Sequence, residues 1–295
     1  MKIKTTEFIN HGVVNVGDLP IPFDMVLNAS ALVVVITFVY LKISWKESIV
    51  VPSKEIFEDR QNIIGKIFGA TILFFLIAPG IIGNESSKTS VTPLILWVFL
   101  WIGVPTLGLL FGDVYAKFNP LNLVRISSNK PRSVYVSCFL FLGLTWFELV
   151  WREPGNPLNI ASVFIILFVG VNLIRYFYKR SIIEVDPLLL LHYLYSKLKL
   201  FNPKPYFRSL INNIGNLAKL NGIEYFILLM IGTVTYDGLR ETTFWYNQFG
   251  EQINNIWFST IMFLSMNLGT IIFYRFACYF AIKVGGSELK LNEVS

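Results

Sequence analysis

The chain has 295 residues, of which 54% are hydrophobic and 15% charged, and its mean hydropathy is +0.57. A water-soluble domain carries about 25% charged residues, so a soluble globular fold is excluded as the main architecture. The formal net charge of +6 is spread between apolar stretches and not gathered in one module. That excludes the basic patch of a nucleic-acid binder and fits the positive-inside bias of membrane proteins.

In lipid every backbone polar group must be paired internally, so long apolar stretches read as helices. The expected fold is therefore an all-α, polytopic transmembrane bundle. Residues 1–21 form a polar arm containing His11-Gly12 and Gly17-Asp18-Leu19-Pro20, without the apolar core or cleavage pattern of a signal peptide. Span 1 runs from about Pro22 to Ile43. Span 2 covers about Ile63–Gly83 and carries Gly65-x-x-x-Gly69, a close-packing face for a neighbouring helix. Span 3 is about Thr92–Phe111, with Pro105 as a kink. Span 4 is about Ser133–Trp151, span 5 about Leu158–Phe177, span 6 about Gly222–Tyr236 and span 7 about Ile256–Val284. The bundle thus occupies 22–284, and 285–295 is a tail.

An odd number of spans puts the termini on opposite sides. Counting Lys and Arg by alternate loops gives nineteen on one side and five on the other. This predicts the N-terminus outside and the C-terminus inside. On the inner side, Asp186-Pro187 opens LLLLHYLYSKLKLF. That stretch reads as a helix near 186–200 lying at the cytoplasmic interface, with Lys197 and Lys199 reaching anionic head groups and His192 as an interfacial histidine. Cys138 and Cys278 both fall inside apolar spans and read as small buried residues.

The topology sorts the unusual polar residues. His11, Asp18, Asp24, Glu148, Asp237 and Glu241 belong to the outer face, and Asp113 with Asn119-Pro120 to the inner one. Glu148 lies inside WFELVW. A carboxylate in a span marks a functional site or a paired charge, and Arg152 offers an i,i+4 partner. Asp237 stands in Tyr236-Asp237-Gly238, where Gly238 reads as the terminator of span 6. An acid at a helix C-terminus opposes the macrodipole and calls for a cation or a proton, and Arg240 is near in sequence. Asp237 and Glu148 are the candidate catalytic residues. With His11 and Asp18 they form a candidate mixed carboxylate/histidine site for a divalent metal. Asp113 reads as structural. Phosphate-loop, G-x-S-x-G and H-E-x-x-H motifs are absent from the sequence.

Several short motifs occur in a familiar order. They are His11-Gly12, Asp18-Leu19-Pro20-Ile21-Pro22, Phe111-Gly112-Asp113-Val114 with Asn119-Pro120, Glu148-Leu149-Val150 before Pro154 and Pro157, and Thr235-Tyr236-Asp237-Gly238. Together, over roughly residues 10–245, they resemble a family of prokaryotic polytopic membrane proteins, some labelled fenitrothion hydrolase, an organophosphorus ester hydrolase. The resemblance implies a multi-pass protein of a prokaryotic plasma membrane. It also implies further spans with a histidine-containing segment. Up to Ser295 the sequence has no such segment; if it supplies ligands or catalytic groups in the family, the resemblance implies either that the activity is lost here or that a partner chain supplies them. Three functions follow as expectations. The first is an outward-facing site for a metal ion or small molecule, with metal-assisted ester hydrolysis as its enzymatic form. The second is a non-catalytic subunit among other membrane subunits. The third is a proton-coupled transporter with Glu148 as carrier. The lipid bilayer is a partner in all three, and nucleic acid in none.

Overall fold

The computed structural model describes residues 61–83, 90–199 and 220–285, together with scattered positions between 28 and 39. Those scattered positions, the part of span 1 that is described, are all helical. Among the described residues the fold is all-helical, without a strand. Helix α1 is Ile63–Ile82. Helix α2 begins as a wide π-helix over Leu94–Gly103 and continues as an α-helix over Val104–Phe111. The others are α3 (Tyr135–Leu149), α4 (Pro157–Tyr178), α5 (Ile182–Val185), α6 (Pro187–Lys197), α7 (Ile223–Arg240), α8 (Thr243–Phe249) and α9 (Ile256–Gly285). By length and composition, the helices over Ile63–Ile82, Leu94–Phe111, Pro157–Tyr178 and Ile256–Val284 can cross a membrane, and α3 is a shorter apolar helix. Their outward faces are apolar, as at Ile64 and Phe273, both 72% exposed. In water that would be costly, but against lipid it is the stable arrangement.

Two ends of the bundle can be distinguished. At one, Ser133 and Asn221 form a parallel bridge, with Val134 N–H donating to the Asn221 carbonyl at 2.9 Å. Helices α3 and α7 therefore start side by side and run in the same direction. At the other end, their last turns meet the start of α9. Trp146 Nε1 donates to Thr260 Oγ1 at 2.9 Å, Tyr236 Oη to the Ser259 carbonyl at 3.3 Å, and Arg240 to the Leu149 carbonyl. Leu149, Val150, Tyr236, Trp245 and Phe263 form a small buried cluster there. The main core lies among α2, α3, α4, α6 and α7.

Three local expectations change in the folded chain. First, Gly65 and Gly69 do pack closely, but against the end of the short 3-10 turn Tyr115–Lys117 and the residue after it, not against a neighbouring membrane helix. A Cβ on either would run into the carbonyl oxygen of Lys117 or Phe118. Second, Gly238 does not terminate α7, which continues to Arg240. Third, the helix near 186–200 is present as α6, but it is buried on all sides over Pro187–Tyr193. An interfacial helix keeps one polar face in water. Here Lys197 Nζ instead lies over the Tyr193 ring at 4.6 Å, and the Lys199 side chain lies beside Gly112.

One polar contact of the buried α6 traces to Pro105. Val104 N–H bonds the Phe99 carbonyl in the π register. In that register the Leu100 carbonyl would be served by residue 105, a proline with no N–H. His192 supplies the partner: its Nε2 lies 3.1 Å from the Leu100 oxygen, while Nδ1 faces the Leu188 carbonyl of its own helix at 2.5 Å. A neutral ring carries one N–H and serves one of the two carbonyls at a time; Leu188 is placed to receive the ordinary donor of α6 and Leu100 is not. Burial pushes His192 down to about 4, against the opposing effect of both carbonyls. The ring is therefore neutral at pH 7, stacked on Tyr115 at 4.3 Å between centroids.

Candidate functional site

Glu148 and Asp237 come together. Glu148 is in the last turn of α3, and Asp237 is in the last turn of α7. Because the two helices start together and run parallel, residues near their ends reach the same depth. Both carboxylates line one cavity of about 140 Å³. Each is half-buried. Arg152 lies past the end of α3 and is exposed. Arg240 is buried, with its guanidinium donating to the Leu149 carbonyl.

Around the two acids the cavity is lined by Thr145 and Thr233, and by the aromatic residues Trp101, Phe141 and Tyr195. The threonine protons are committed. Thr145 Oγ1 donates to the Phe141 carbonyl at 3.0 Å, and Thr233 Oγ1 to the Leu229 carbonyl at 2.6 Å. What remains on each hydroxyl is acceptor capacity. Two acidic residues and two threonines thus border one space, together with the aromatic residues. Such a lining attracts a group that brings positive charge and donors.

His11 and Asp18, the other two predicted ligands, lie outside the described residues, as does Asp24. Among the described residues no three His, Cys, Asp or Glu side chains come together as a metal-ligand group. Glu241 is exposed. Asp113 accepts the Ala116 N–H at 3.2 Å and starts the 3-10 turn Tyr115–Lys117, a structural role. Thr145, Thr233, Trp101 and Tyr195 were not singled out from the sequence. Each reads there as an ordinary span residue, and only the crossing of α2, α3, α6 and α7 makes them neighbours.

A second polar cluster sits where α6 begins. Asn119, read from the sequence as a turn residue, is fully buried. Its Nδ2 donates to Asp186 Oδ2 at 2.6 Å, its Oδ1 accepts the Leu121 N–H at 2.8 Å, and its carbonyl accepts Gln61 Nε2 at 2.8 Å. Asp186 caps α6 by accepting the Leu189 N–H at 3.0 Å. Next to it Glu184 accepts from Arg132 N–H, Ser133 N–H, Ser181 N–H and Arg180. Burial pushes Glu184 up, but these donors outweigh it and hold the carboxyl below the usual range.

Asp186 goes the other way. Burial pushes it from 3.8 up to about 6, only partly offset by the Leu189 N–H, Asn119, the Leu188 N–H and the charge of Arg175. A carboxyl whose folded value is raised binds its proton more tightly in the native state. Its contribution to stability is fully present below 3.8 and is lost as pH rises through about 6. An Asp186→Asn protein keeps the Leu189 cap but turns a donor toward Asn119 Nδ2, so it is expected to melt lower than wild type at low pH and to lose this pH dependence. Thermal unfolding in detergent across that range checks it, and an unchanged pH slope in the variant would remove Asp186 as its source.

No protein-family model, no curated protein and no solved structure matches this chain.

Proposed function

We propose that this chain is a multi-pass membrane protein of about seven spans whose working site is the cavity between the ends of α3 and α7, and that the site holds a cation. One observation carries the reading: Glu148 and Asp237, from helices far apart in sequence, line the same small cavity. Two acidic residues lining one small space repel each other, and a cation between them relieves that repulsion. Paired acids in a space lined by further acceptors therefore favour a cationic ligand. In the proposed topology, with the N-terminus outside, the cavity lies toward the outer face of a plasma membrane.

Metal-assisted ester hydrolysis is the enzymatic form of this reading. It needs donors beyond the two acids, and His11 and Asp18 are the residues proposed to provide them. The carboxylates and histidine would hold the metal, and the metal would supply an activated water for attack on an ester.

The test is cation binding to the purified protein in detergent, by metal analysis and by titration with Mn²⁺ and with butylammonium. Wild type is expected to bind at least one of the two stoichiometrically, and Glu148→Gln and Asp237→Asn each to weaken that binding at least tenfold while remaining monodisperse. No binding of either probe by wild type, or binding unchanged in both variants, would sink the proposal.

A further inference from the structure

The cavity has an apolar way in. Met230, Thr233, Val234 and Asp237 of α7 all line it, yet Val234 is 71% exposed. It continues an outward stripe with Ile231 and Ile227, which are 50% and 37% exposed. These positions follow the i, i+4, i+7 spacing of one helix face. The stripe descends from the cavity toward the middle of α7, and α7 packs along α9, one of the helices long and apolar enough to cross a membrane. Gly232 makes that packing close, since a Cβ there would lie 2.8 Å from Asn267 Oδ1. The side of α7 that borders the cavity therefore continues into an exposed apolar surface.

The dimensions and chemistry select an occupant. A cavity of about 140 Å³ is close to the roughly 150 Å³ that accepts a benzene ring, so it takes an amine head and a few carbons. Trp101, Phe141 and Tyr195 line it, and an aromatic surround suits a weakly hydrated ammonium group better than a strongly hydrated metal ion. A phosphate next to the amine would meet the two carboxylates and be repelled. Resting on the cation reading above, we infer that the site takes the protonated amine of a single-chain amphiphile. The amine enters from the bilayer past Val234 and lodges between Glu148 and Asp237, and its alkyl tail stays in lipid along Val234, Ile231 and Ile227.

The experiment uses the full chain in phosphatidylcholine nanodiscs and a long-chain amine carrying a photoactivatable diazirine on its tail. Labelling is expected on α7. Dodecylamine should compete for it and laurate should not. It should fall at least tenfold in Asp237→Asn, and several-fold in Val234→Trp, whose bulk narrows the opening from an exposed position. Equal competition by laurate, or labelling unchanged in Asp237→Asn, overturns the inference. If butylammonium competes as well as dodecylamine and Val234→Trp has no effect, bilayer entry is overturned while the cation site stands. If Mn²⁺ binds and depends on both acids but no amine does, the ammonium assignment falls and the cation site stands. Failure of Mn²⁺, butylammonium and dodecylamine alike overturns both.

Discussion

A Gly65→Leu protein is expected to lose its folded, monodisperse state in detergent, whereas Gly143→Leu is expected to behave as wild type. Both glycines lie inside apolar helices, and hydropathy alone treats the two changes as equivalent. They differ in what a side chain would meet. At Gly65 a Cβ runs into the Lys117 carbonyl oxygen, which belongs to backbone and cannot swing aside, and Asn62 Oδ1 lies 3.3 Å away. That asparagine caps α1 by accepting the Gly65 N–H at 2.8 Å, so displacing it also costs the cap. Overpacking a core typically costs about 1–3 kcal/mol and more where nothing can yield, out of a total stability of roughly 5–15 kcal/mol. At Gly143 nothing lies within 4 Å of the added carbon and the position is exposed. Size-exclusion profiles and thermal unfolding of the two proteins check this. A wild-type melting point for Gly65→Leu would mean that α1 does not rest on the segment 117–119.

The second large effect is a dependence of His192 on Pro105. His192→Phe keeps a ring against Tyr115 but removes both nitrogens, leaving the Leu100 carbonyl buried without a donor. An unsatisfied buried carbonyl costs about 1–3 kcal/mol, so the variant is expected to be clearly destabilised. In a Pro105→Ala background the cost should largely disappear. Residue 105 then has an N–H for the Leu100 carbonyl in the π register, or the helix can relax to the α register and use that of Val104. The coupling between two such contacting positions is measured by a double-mutant cycle on unfolding in detergent. Additive losses would show that the histidine does not serve the carbonyl freed by the proline.

These cases show why parts of the fold and the site were legible in advance and others were not. Helices α1, α4 and α9 follow from local hydropathy, because a long apolar stretch in lipid has helix as its way to pair its own backbone. Glu148 and Asp237 were visible for a related reason, since a charge inside an apolar stretch stands out against its neighbours. Asn119 and Asp186 were not paired in the reading, because Asn-Pro and Asp-Pro are each adequate turn and cap signals. The short bond between them joins segments separated by the whole of α3 and α4. The burial of α6 was missed because an apolar helix bearing lysines reads the same whether it lies on a bilayer or is enclosed by protein. The choice depends on the space left by α2 and α3.

The sequence by itself determined that the chain is all-helical and suited to a membrane, and it marked the two acids of the candidate site, because these properties depend on residue type and local order. The tertiary structure decided what those residues face. It joined Glu148 to Asp237 through the parallel run of α3 and α7 and added Thr145, Thr233 and three aromatic rings around them. It also turned the proline of α2 into a requirement for a histidine on α6. Those outcomes depend on helix register and depth, which are set by packing between segments distant in sequence and leave no mark on any one of them.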